Sequence, residues 1–341
     1  MLTKVIDIRT ERQEALSQSA GLIRSGEVVA IPTETVYGLA ANAFDESAVA
    51  KIFLAKGRPQ DNPLIVHISD FSQLGELVSE IPEKVRVMAE HFWPGPLTMI
   101  MKKSGKIPSA VSGGLDTVAI RMPKNEYARA IIDECSVPLA APSANLSGSP
   151  SPIRAKYVLD DMFGRIPLII DGGECEIGVE STVISFTEDK PRLLRPGGVT
   201  LEQIREVIGE IEVDSAVLER LEDGKKASSP GMKYKHYAPK AQIIIVKGAF
   251  EDFCSFLRDK SDYFVLCFEG EEKFFENALT YGKKDDGASE AKRLFDALRE
   301  LDELGAKTVY ARCPDLKGMG LAVYNRLIRS AGFNIVDLNN E

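Results

Sequence analysis

Short apolar runs alternate with amphipathic stretches along the first two hundred residues. Apolar runs of this kind suit buried strands, whereas apolar positions spaced three and four apart suit one face of a helix. The alternation predicts an α/β domain built on a mixed sheet. The predicted strands are residues 28–31, 64–68, 97–101, 118–120, 138–141, 168–170 and 182–186, and the predicted helices are residues 48–55, 85–92, 127–135 and 154–162.

Two further helices carry residues typical of a helix start. Thr10 is followed three residues later by Gln13, and Thr200 by Gln203. At this spacing, a hydroxyl and an amide can each bond a free backbone N–H group of the first turn. The helix after Thr10 is expected to end at Gly26, since glycine readily adopts the conformation that follows a helix.

The pattern stops after residue 210 and starts again near residue 241. Between Gly224 and Phe250 there are six lysines and no acidic residue, and the prolines of residues 228–239 predict a linker with little regular structure. We therefore predict a first domain at 1–210, a linker at 211–240 and a smaller, Rossmann-like parallel α/β domain at 241–341. In the last region the predicted strands are 243–246, 263–268 and 308–311, and the predicted helices 250–257, 291–304 and 321–331.

The composition is that of an ordinary globular protein, with 44% hydrophobic and 27% charged residues. No apolar run approaches the ~20 residues that cross a bilayer, and the first residues do not resemble a secretory signal. We therefore expect a cytoplasmic protein without a membrane partner. The net charge of −9 argues against a surface that binds duplex nucleic acid through phosphate neutralisation alone. Any anion site must be a local concentration of lysine and arginine.

Cysteine and histidine give no sign of a metal centre. The five cysteines include no Cys-x-x-Cys pair, so reduced thiols packed as small apolar residues are expected. The chain has three histidines and lacks the Walker, zinc-protease and nucleophile-elbow motifs. Gly318-Met-Gly320 lacks the third glycine of a dinucleotide-binding motif and predicts a tight turn between a strand and a helix. We expect no metal ion bound tightly by protein side chains.

Polar residues concentrate at strand ends, where open α/β sheets place their ligands. Lys56 and Arg58 follow a predicted helix, where cations can simply complement the helix dipole. Pro59 and Pro63 stiffen the loop that follows, and a rigid loop with two cations suits a polyphosphate. Residues 32–40 follow another strand, with hydroxyls and a glycine that suit either ligand contact or a structural turn.

Arg121 lies on an apolar strand, on the same face as Thr117. A buried arginine needs a carboxylate or phosphate partner, which is either an internal acidic residue or a substrate. Further hydroxyls, an amide and an arginine lie at strand boundaries in residues 140–152, 178–183 and 194–198. These segments together indicate a nucleotide cavity lined by side chains.

The motifs resemble those of the YrdC-like family. Lys56-Gly-Arg58 and Ser143-Ala-Asn145 match its Lys-x-Arg and Ser-x-Asn pattern, and residues 32–39 match its opening segment. The linker and the extra domain are similar to those of the two-domain threonylcarbamoyl-AMP synthases. The resemblance implies a mixed twisted sheet with a concave cavity and a catalytic set formed by Lys56, Arg58, Ser143 and Asn145. It also implies that Thr35, His67, Arg121, Ala141 and Ser181 surround L-threonine, and that Arg58, Asn62, Thr117, Ser143, Ser151, Arg195 and Tyr234 contact ATP.

The implied reaction forms threonylcarbamoyl-AMP and pyrophosphate from L-threonine, bicarbonate and ATP, with Mg2+ accompanying ATP. A separate threonylcarbamoyl transferase would use the product to modify tRNA, and no stable tRNA complex is required. The principal alternative is a non-enzymatic module whose basic cavity holds a nucleotide or RNA. A second alternative uses carbamoyl phosphate, but such proteins should carry cysteine-rich zinc modules that this chain lacks.

The aromatic and basic linker carries a separate hypothesis. Tyr234 and the neighbouring lysines suggest that residues 228–239 form a lid over the nucleotide cavity. An exposed spacer is the other interpretation of the same residues.

Overall fold

The fold is described from a computed structural model, over residues 2–60, 62–219 and 237–340. These residues form two compact units, which are treated separately below. The first runs to Val217 without residues 148–150, and the second contains 148–150, 218–219 and the residues from 237 onward. The domain boundaries at residues 210 and 240 stay predictions, because the segment between them is only partly described.

The first unit combines eight helices and eleven strands within its described residues. The helices are α1 (Arg12–Arg24), α2 (Glu46–Lys56), α3 (Leu74–Leu77), α4 (Glu83–Phe92), α5 (Ser109–Ser112), α6 (Glu126–Cys135), α7 (Ala155–Met162) and α8 (Leu201–Ile208). The strands are β1 (Lys4–Asp7), β2 (Val29–Ile31), β3 (Gly38–Asn42), β4 (Ile65–His67), β5 (Leu97–Lys102), β6 (Thr117–Arg121), β7 (Leu139–Ala140), β8 (Leu168–Asp171), β9 (Thr182–Ser185), β10 (Arg192–Arg195) and β11 (Glu212–Val213).

These strands form one mixed sheet, in the order β1-β8-β2-β3-β7-β4-β6-β5-β9-β10-β11. In its central part, β6 runs parallel to β4 and antiparallel to β5, and β5 runs parallel to β9. The predicted mixed α/β sheet is therefore confirmed. Ile23 of α1 and Ile131 of α6 belong to the same buried core as Leu168 of β8. This core holds the two helices against the sheet.

The two predicted helix caps have different outcomes. Thr200 and Gln203 form the expected reciprocal cap at the start of α8. The cap predicted at Thr10 is wrong, because α1 begins at Arg12 with Glu11 before it. The backbone N–H groups of Thr10 and Glu11 both bond the carbonyl of Asp7, at 3.2 and 2.8 Å. The turn that follows β1 therefore includes Thr10, and the helix starts later.

The second unit is a smaller α/β fold with a fully parallel sheet, as predicted. Its sheet order is β14-β13-β15-β12-β16, and each neighbouring pair is parallel. Gly318 adopts a φ of 53° directly before α11, which confirms the predicted tight turn. The elements are β12 (Gln242–Lys247), α9 (Phe250–Leu257), β13 (Phe264–Cys267), β14 (Ala278–Thr280), α10 (Gly287–Glu303), β15 (Thr308–Arg312), α11 (Met319–Ser330) and β16 (Ile335–Asp337).

Over the parts of the chain that the structure describes, none of the helices is both long and apolar enough to cross a bilayer.

Candidate active site

A row of polar side chains crosses the middle of the large sheet. His67 on β4 pairs in register with Arg121 on β6, and Arg121 pairs in register with Thr98 on β5. Directly opposed residues on neighbouring strands have adjacent side chains on the same face of a sheet. The row therefore brings an imidazole, a guanidinium and a hydroxyl together. Two of the three, His67 and Arg121, belong to the residues predicted to surround L-threonine.

The guanidinium of Arg121 is held by the protein itself. This side chain is 4% exposed, and its Nη2 lies 2.7 Å from Oε1 of Glu34. Nη1 donates to the hydroxyl of Thr35 at 2.8 Å, and Nε donates to the carbonyl of Gly95 at 3.3 Å. The sequence left open whether the partner of Arg121 is an internal acid or a substrate. The structure supplies an internal acid, Glu34.

Glu34 is ionised in this environment although it is only 3% exposed. Burial raises the pKa of its carboxyl, but the charge of Arg121 and the backbone N–H of Lys124 act in the opposite direction, and the pKa lies below its ordinary value. The carboxylate accepts the backbone N–H groups of Lys124 at 3.0 Å and Asn125 at 3.3 Å. Glu34 therefore ties the segment after β2 to the segment that leads from β6 into α6.

His67 is neutral beside this ion pair. Burial, and then the charge of Arg121, lower the pKa of His67 to about 3. Its Nδ1 lies 3.3 Å from the carbonyl oxygen of Ile65, and the backbone of Leu139 is also a hydrogen-bond partner of the ring. A neutral imidazole has one N–H donor and one nitrogen that accepts. His67 can accept a hydrogen bond from a ligand without adding a second positive charge beside Arg121.

Ser181 lies directly before β9 and connects Thr98 with Arg195. Its hydroxyl is 2.7 Å from the hydroxyl of Thr98 and accepts from Nη2 of Arg195 at 3.2 Å. Nε of Arg195 also donates to the Ser181 carbonyl at 3.0 Å. Ser181 was predicted to contact L-threonine and Arg195 to contact ATP. The structure thus brings one member of each predicted set into direct hydrogen-bond contact.

Lys56 joins the two halves of the predicted catalytic motif. It is the last residue of α2, where the sequence placed it just past the helix, and it is buried. Its Nζ donates to the carbonyls of Ser143 and Asn145 and to Oδ1 of Asn145, the two bonds to Asn145 measuring 2.7 and 3.3 Å. Burial, and then the charge of Arg58, lower the pKa of Lys56 well below its ordinary value. The ammonium therefore links the Lys-x-Arg and Ser-x-Asn segments from inside the fold.

The loop after α2 holds a fully buried amide at Asn62. Neither Oδ1 nor Nδ2 of Asn62 has a hydrogen-bond partner among the residues described. A side-chain carbon added to Gly113 would come within 3.0 Å of the backbone nitrogen of Pro63, so the chain is closely packed here. Leaving a buried polar group unpaired costs roughly 1 to 3 kcal/mol. The unpaired amide of Asn62 therefore favours a ligand contact.

Two other predicted residues have protein partners in the same unit. The hydroxyl of Ser151 donates to the carboxylate of Glu180. The backbone N–H of Ala141 donates to the carbonyl of Ile65 at 2.9 Å, which places Ala141 beside β4 and near His67. Both residues are buried.

Thr117 lies at the opposite end of β6 from Arg121. At about 3.3 Å per residue, the two positions are roughly 13 Å apart along the strand. Thr117 borders a cavity of about 320 Å3, whose other lining residues include Ile100, Ser185, Arg192 and Leu194. Tyr234 and nearly all of the predicted lid at residues 228–239 lie outside the described residues.

Glu34, Thr98 and Glu180 are buried polar residues of this region that were not predicted. Glu34 lies directly before Thr35, in the hydroxyl-rich segment 32–40. The sequence signal for it is that a buried Arg121 requires an anionic partner. Thr98 is the polar residue in the predicted apolar strand 97–101. A threonine of that kind is common in strands, so the sequence carries no clear signal for it.

A buried set of charged and hydroxyl side chains at the centre of an α/β sheet is typical of a small-molecule binding site. The profile of the Sua5/YciO/YrdC family, described as "Telomere recombination", matches residues 21–197. A second profile, described as "Threonylcarbamoyl-AMP synthase, C-terminal domain", matches residues 199–332. The two profiles together cover most of the chain.

Known proteins are similar over the same extent. A threonylcarbamoyl-AMP synthase of Pyrococcus abyssi is 48% identical over 98% of this chain and 99% of its own length. One of Bacillus subtilis is 46% identical over 97% of each chain. The crystal structure of P. abyssi Sua5 complexed with L-threonine gives a TM-score of 0.92 at 46% identity, covering 99% of this chain and 100% of the other. The chain therefore belongs to the Sua5/YciO/YrdC family, in its two-domain form.

Proposed function

We propose that the chain is an L-threonylcarbamoyladenylate synthase, a nucleotidyltransferase that forms threonylcarbamoyl-AMP and pyrophosphate from L-threonine, bicarbonate and ATP. The observation that carries the proposal is the 46–48% identity with threonylcarbamoyl-AMP synthases along nearly the whole chain. The buried polar network supports it, because the residues expected to bind an amino acid and a nucleotide are hydrogen-bonded to one another.

On this proposal L-threonine binds against the polar row of the sheet. Arg121 donates hydrogen bonds to the threonine carboxylate, because a planar guanidinium group favours paired hydrogen bonds to a carboxylate. The unprotonated ring nitrogen of His67 accepts a hydrogen bond from the substrate, and the hydroxyls of Thr35 and Ser181 complete the polar contacts. Ala141, held beside β4 by its backbone N–H, forms an apolar part of the wall.

ATP binds on the side of Arg58, Asn62 and Arg195, together with Ser143, Ser151 and Tyr234. Thr117 is assigned to ATP as well, although the described lining of the cavity beside it shares no other residue with this set. The Lys56 ammonium donates to three oxygens of the Ser143–Asn145 segment. We therefore assign it the role of fixing this segment, and we assign contact with the phosphates to the arginines.

The chemistry needs fixed positive charge and no protein nucleophile. The threonine ammonium and bicarbonate condense to a carbamate with loss of one water and of one proton to solvent, and a carbamate oxygen then attacks the α-phosphorus of ATP. The bond from that phosphorus to the bridging oxygen breaks, and pyrophosphate leaves with the electron pair. Both reactants are anions, so Arg58 and Arg195 reduce their repulsion and stabilise the charge that develops on the leaving group.

We propose that Mg2+ enters as its complex with ATP. Magnesium commonly keeps several waters and binds through substrate phosphates rather than through an all-protein site. The residues described contain no group of three His, Cys, Asp or Glu side chains that could hold a metal ion. The charge of a phosphate-bound ion would add to that of the two arginines during pyrophosphate release.

The proposal extends to the fate of the product. The activated intermediate is passed to a separate threonylcarbamoyl transferase for tRNA modification in the cytoplasm, and no stable tRNA complex is needed. The second unit has no role in this proposal beyond its presence in the two-domain form of the family.

Pyrophosphate release measured in the presence and absence of each substrate tests the proposal. We expect release from ATP only when both L-threonine and bicarbonate are present, with threonylcarbamoyl-AMP as the second product by mass spectrometry. A nucleotide- or RNA-binding module would bind ATP without turnover. A carbamoyl-phosphate-dependent enzyme would release pyrophosphate with carbamoyl phosphate in place of threonine and bicarbonate. Either result contradicts the proposed function.

A further inference from the structure

The charge of Arg121 is already balanced inside the protein. Glu34 and Arg121 are both nearly inaccessible to solvent, and their charged atoms lie 2.7 Å apart. Two backbone N–H groups, from Lys124 and Asn125, hold the Glu34 carboxylate in addition. A buried arginine without such a partner would attract any anion that fits, because the interaction between charges is strong away from water. The pair as a whole carries no net charge.

The residues around Glu34 contact the guanidinium as well. Arg121 donates to the Thr35 hydroxyl at 2.8 Å, and that hydroxyl lies 2.9 Å from the hydroxyl of Thr33. The Thr33 hydroxyl in turn donates to the carbonyl of Val36 at 2.6 Å. Residues 33–36 therefore hold Arg121 from two sides, through the Glu34 carboxylate and through the Thr35 hydroxyl.

We infer that Glu34 is a positioning residue that makes this pocket selective for a zwitterionic amino acid over a simple carboxylate. The inference rests on the proposed function, since it takes L-threonine as the ligand of Arg121. A zwitterion has no net charge and so matches a pair with no net charge. A carboxylate of the same shape without the amino group brings an unbalanced negative charge close to Glu34, which opposes its binding. Glu34 acts through Arg121 and need not touch the substrate.

The test compares two ligands that differ in the amino group alone. L-Threonine and 3-hydroxybutyrate share the carboxylate and the hydroxyl, and the second lacks the nitrogen. Isothermal titration calorimetry gives the ratio of their dissociation constants for the wild-type full chain and for Glu34→Gln, which keeps the size and removes the charge. We expect the wild type to bind L-threonine much more tightly than 3-hydroxybutyrate. In Glu34→Gln the dissociation constant for 3-hydroxybutyrate divided by that for L-threonine should fall at least ten-fold, because 3-hydroxybutyrate gains affinity. Glu27→Gln is the control, since it removes a carboxylate paired with Lys51 at 2.6 Å, and its ratio should equal that of the wild type.

The outcomes separate the possible errors. If Glu34→Gln weakens both ligands equally and leaves the ratio unchanged, Glu34 is structural and the inference fails. If Glu34→Gln does not fold, Glu34→Asp replaces it. This variant keeps the charge, so the wild-type preference should persist within about three-fold even where both affinities fall, and a lost preference overturns the inference. If the wild type binds neither ligand and releases no pyrophosphate, the proposed function itself fails.

Discussion

Replacing Glu290 by glutamine should stabilise the protein at alkaline pH and give no such gain at acidic pH. Glu290 lies in the first turn of α10 and is 1% exposed, and neither carboxyl oxygen has a hydrogen-bond partner within the described residues. Burial, followed by the charges of Asp285, Asp286 and Asp315, raises the pKa of Glu290 to about 7. The folded protein therefore holds this carboxyl in its neutral form more strongly than the unfolded chain does.

The size of the effect follows from the difference between the two pKa values. The ordinary value is 4.5 and the value in the folded protein about 7, so the difference is worth about 3.5 kcal/mol at ~1.4 kcal/mol per pH unit. Because the folded pKa is raised, the contribution of Glu290 to stability is complete below about pH 4.5 and is lost as the pH rises through about 7. Glutamine never ionises, but its amide also lacks partners at this position. The net gain above pH 7 should therefore be about 1 to 3 kcal/mol.

Urea unfolding of the full chain, followed by far-ultraviolet circular dichroism near pH 5 and pH 8.5, measures this gain. Glu251→Gln is the matched control, because Glu251 is an exposed acid in the first turn of α9. The control should change the unfolding free energy by less than about 0.5 kcal/mol at either pH, as is usual for surface substitutions. A Glu290→Gln difference that is the same at both pH values, or a less stable variant near pH 8.5, would refute the electrostatic explanation.

Three further substitutions test the site. Lys56→Met removes the hydrogen bonds to residues 143–145, so pyrophosphate release should fall at least a hundred-fold and hydrogen exchange in that segment should rise; normal exchange contradicts the fixing role. Arg121→Ala should lower the affinity for L-threonine more than the affinity for ATP, as measured by calorimetry; an equal loss of both affinities would indicate a structural role. Because this variant leaves a buried carboxylate unpaired, it should also lower the unfolding free energy by about 3 to 5 kcal/mol. Thr98→Val removes one hydroxyl contact to Ser181, worth about 1 kcal/mol, so L-threonine should bind about five-fold more weakly. Thr182→Val is the control: it loses a hydrogen bond to the Val199 carbonyl and should leave the affinity for L-threonine unchanged.

Much of the fold could be predicted because buried strands and amphipathic helices have distinct periodicities. The strand predicted at 97–101 is β5 extended by one residue, and the helix predicted at 250–257 coincides with α9. Strand β3 was missed, since Gly-Leu-Ala-Ala-Asn has small residues and no alternation. It is a strand because its neighbours β2 and β7 bond to it on both sides. Pairing of that kind is a property of the assembled sheet and leaves little trace in a five-residue sequence.

The ion pair between Glu34 and Arg121 shows the same limit within the site. Chemistry alone required an anionic partner for a buried arginine, but the chain offers 51 acidic residues and a substrate carboxylate as candidates. The choice depends on the path of the chain, because β3, β7 and β4 lie between β2 and β6 in the sheet and the segment after β2 brings Glu34 to Arg121. Motifs therefore predict candidate residues for the pocket, whereas the partner of Arg121 depends on a pairing that arises only in the folded chain. On the inference above, this pairing favours a neutral zwitterion over an anion, so the specificity of the site depends on how the fold brings Glu34 to Arg121 as well as on the residues that the strands carry.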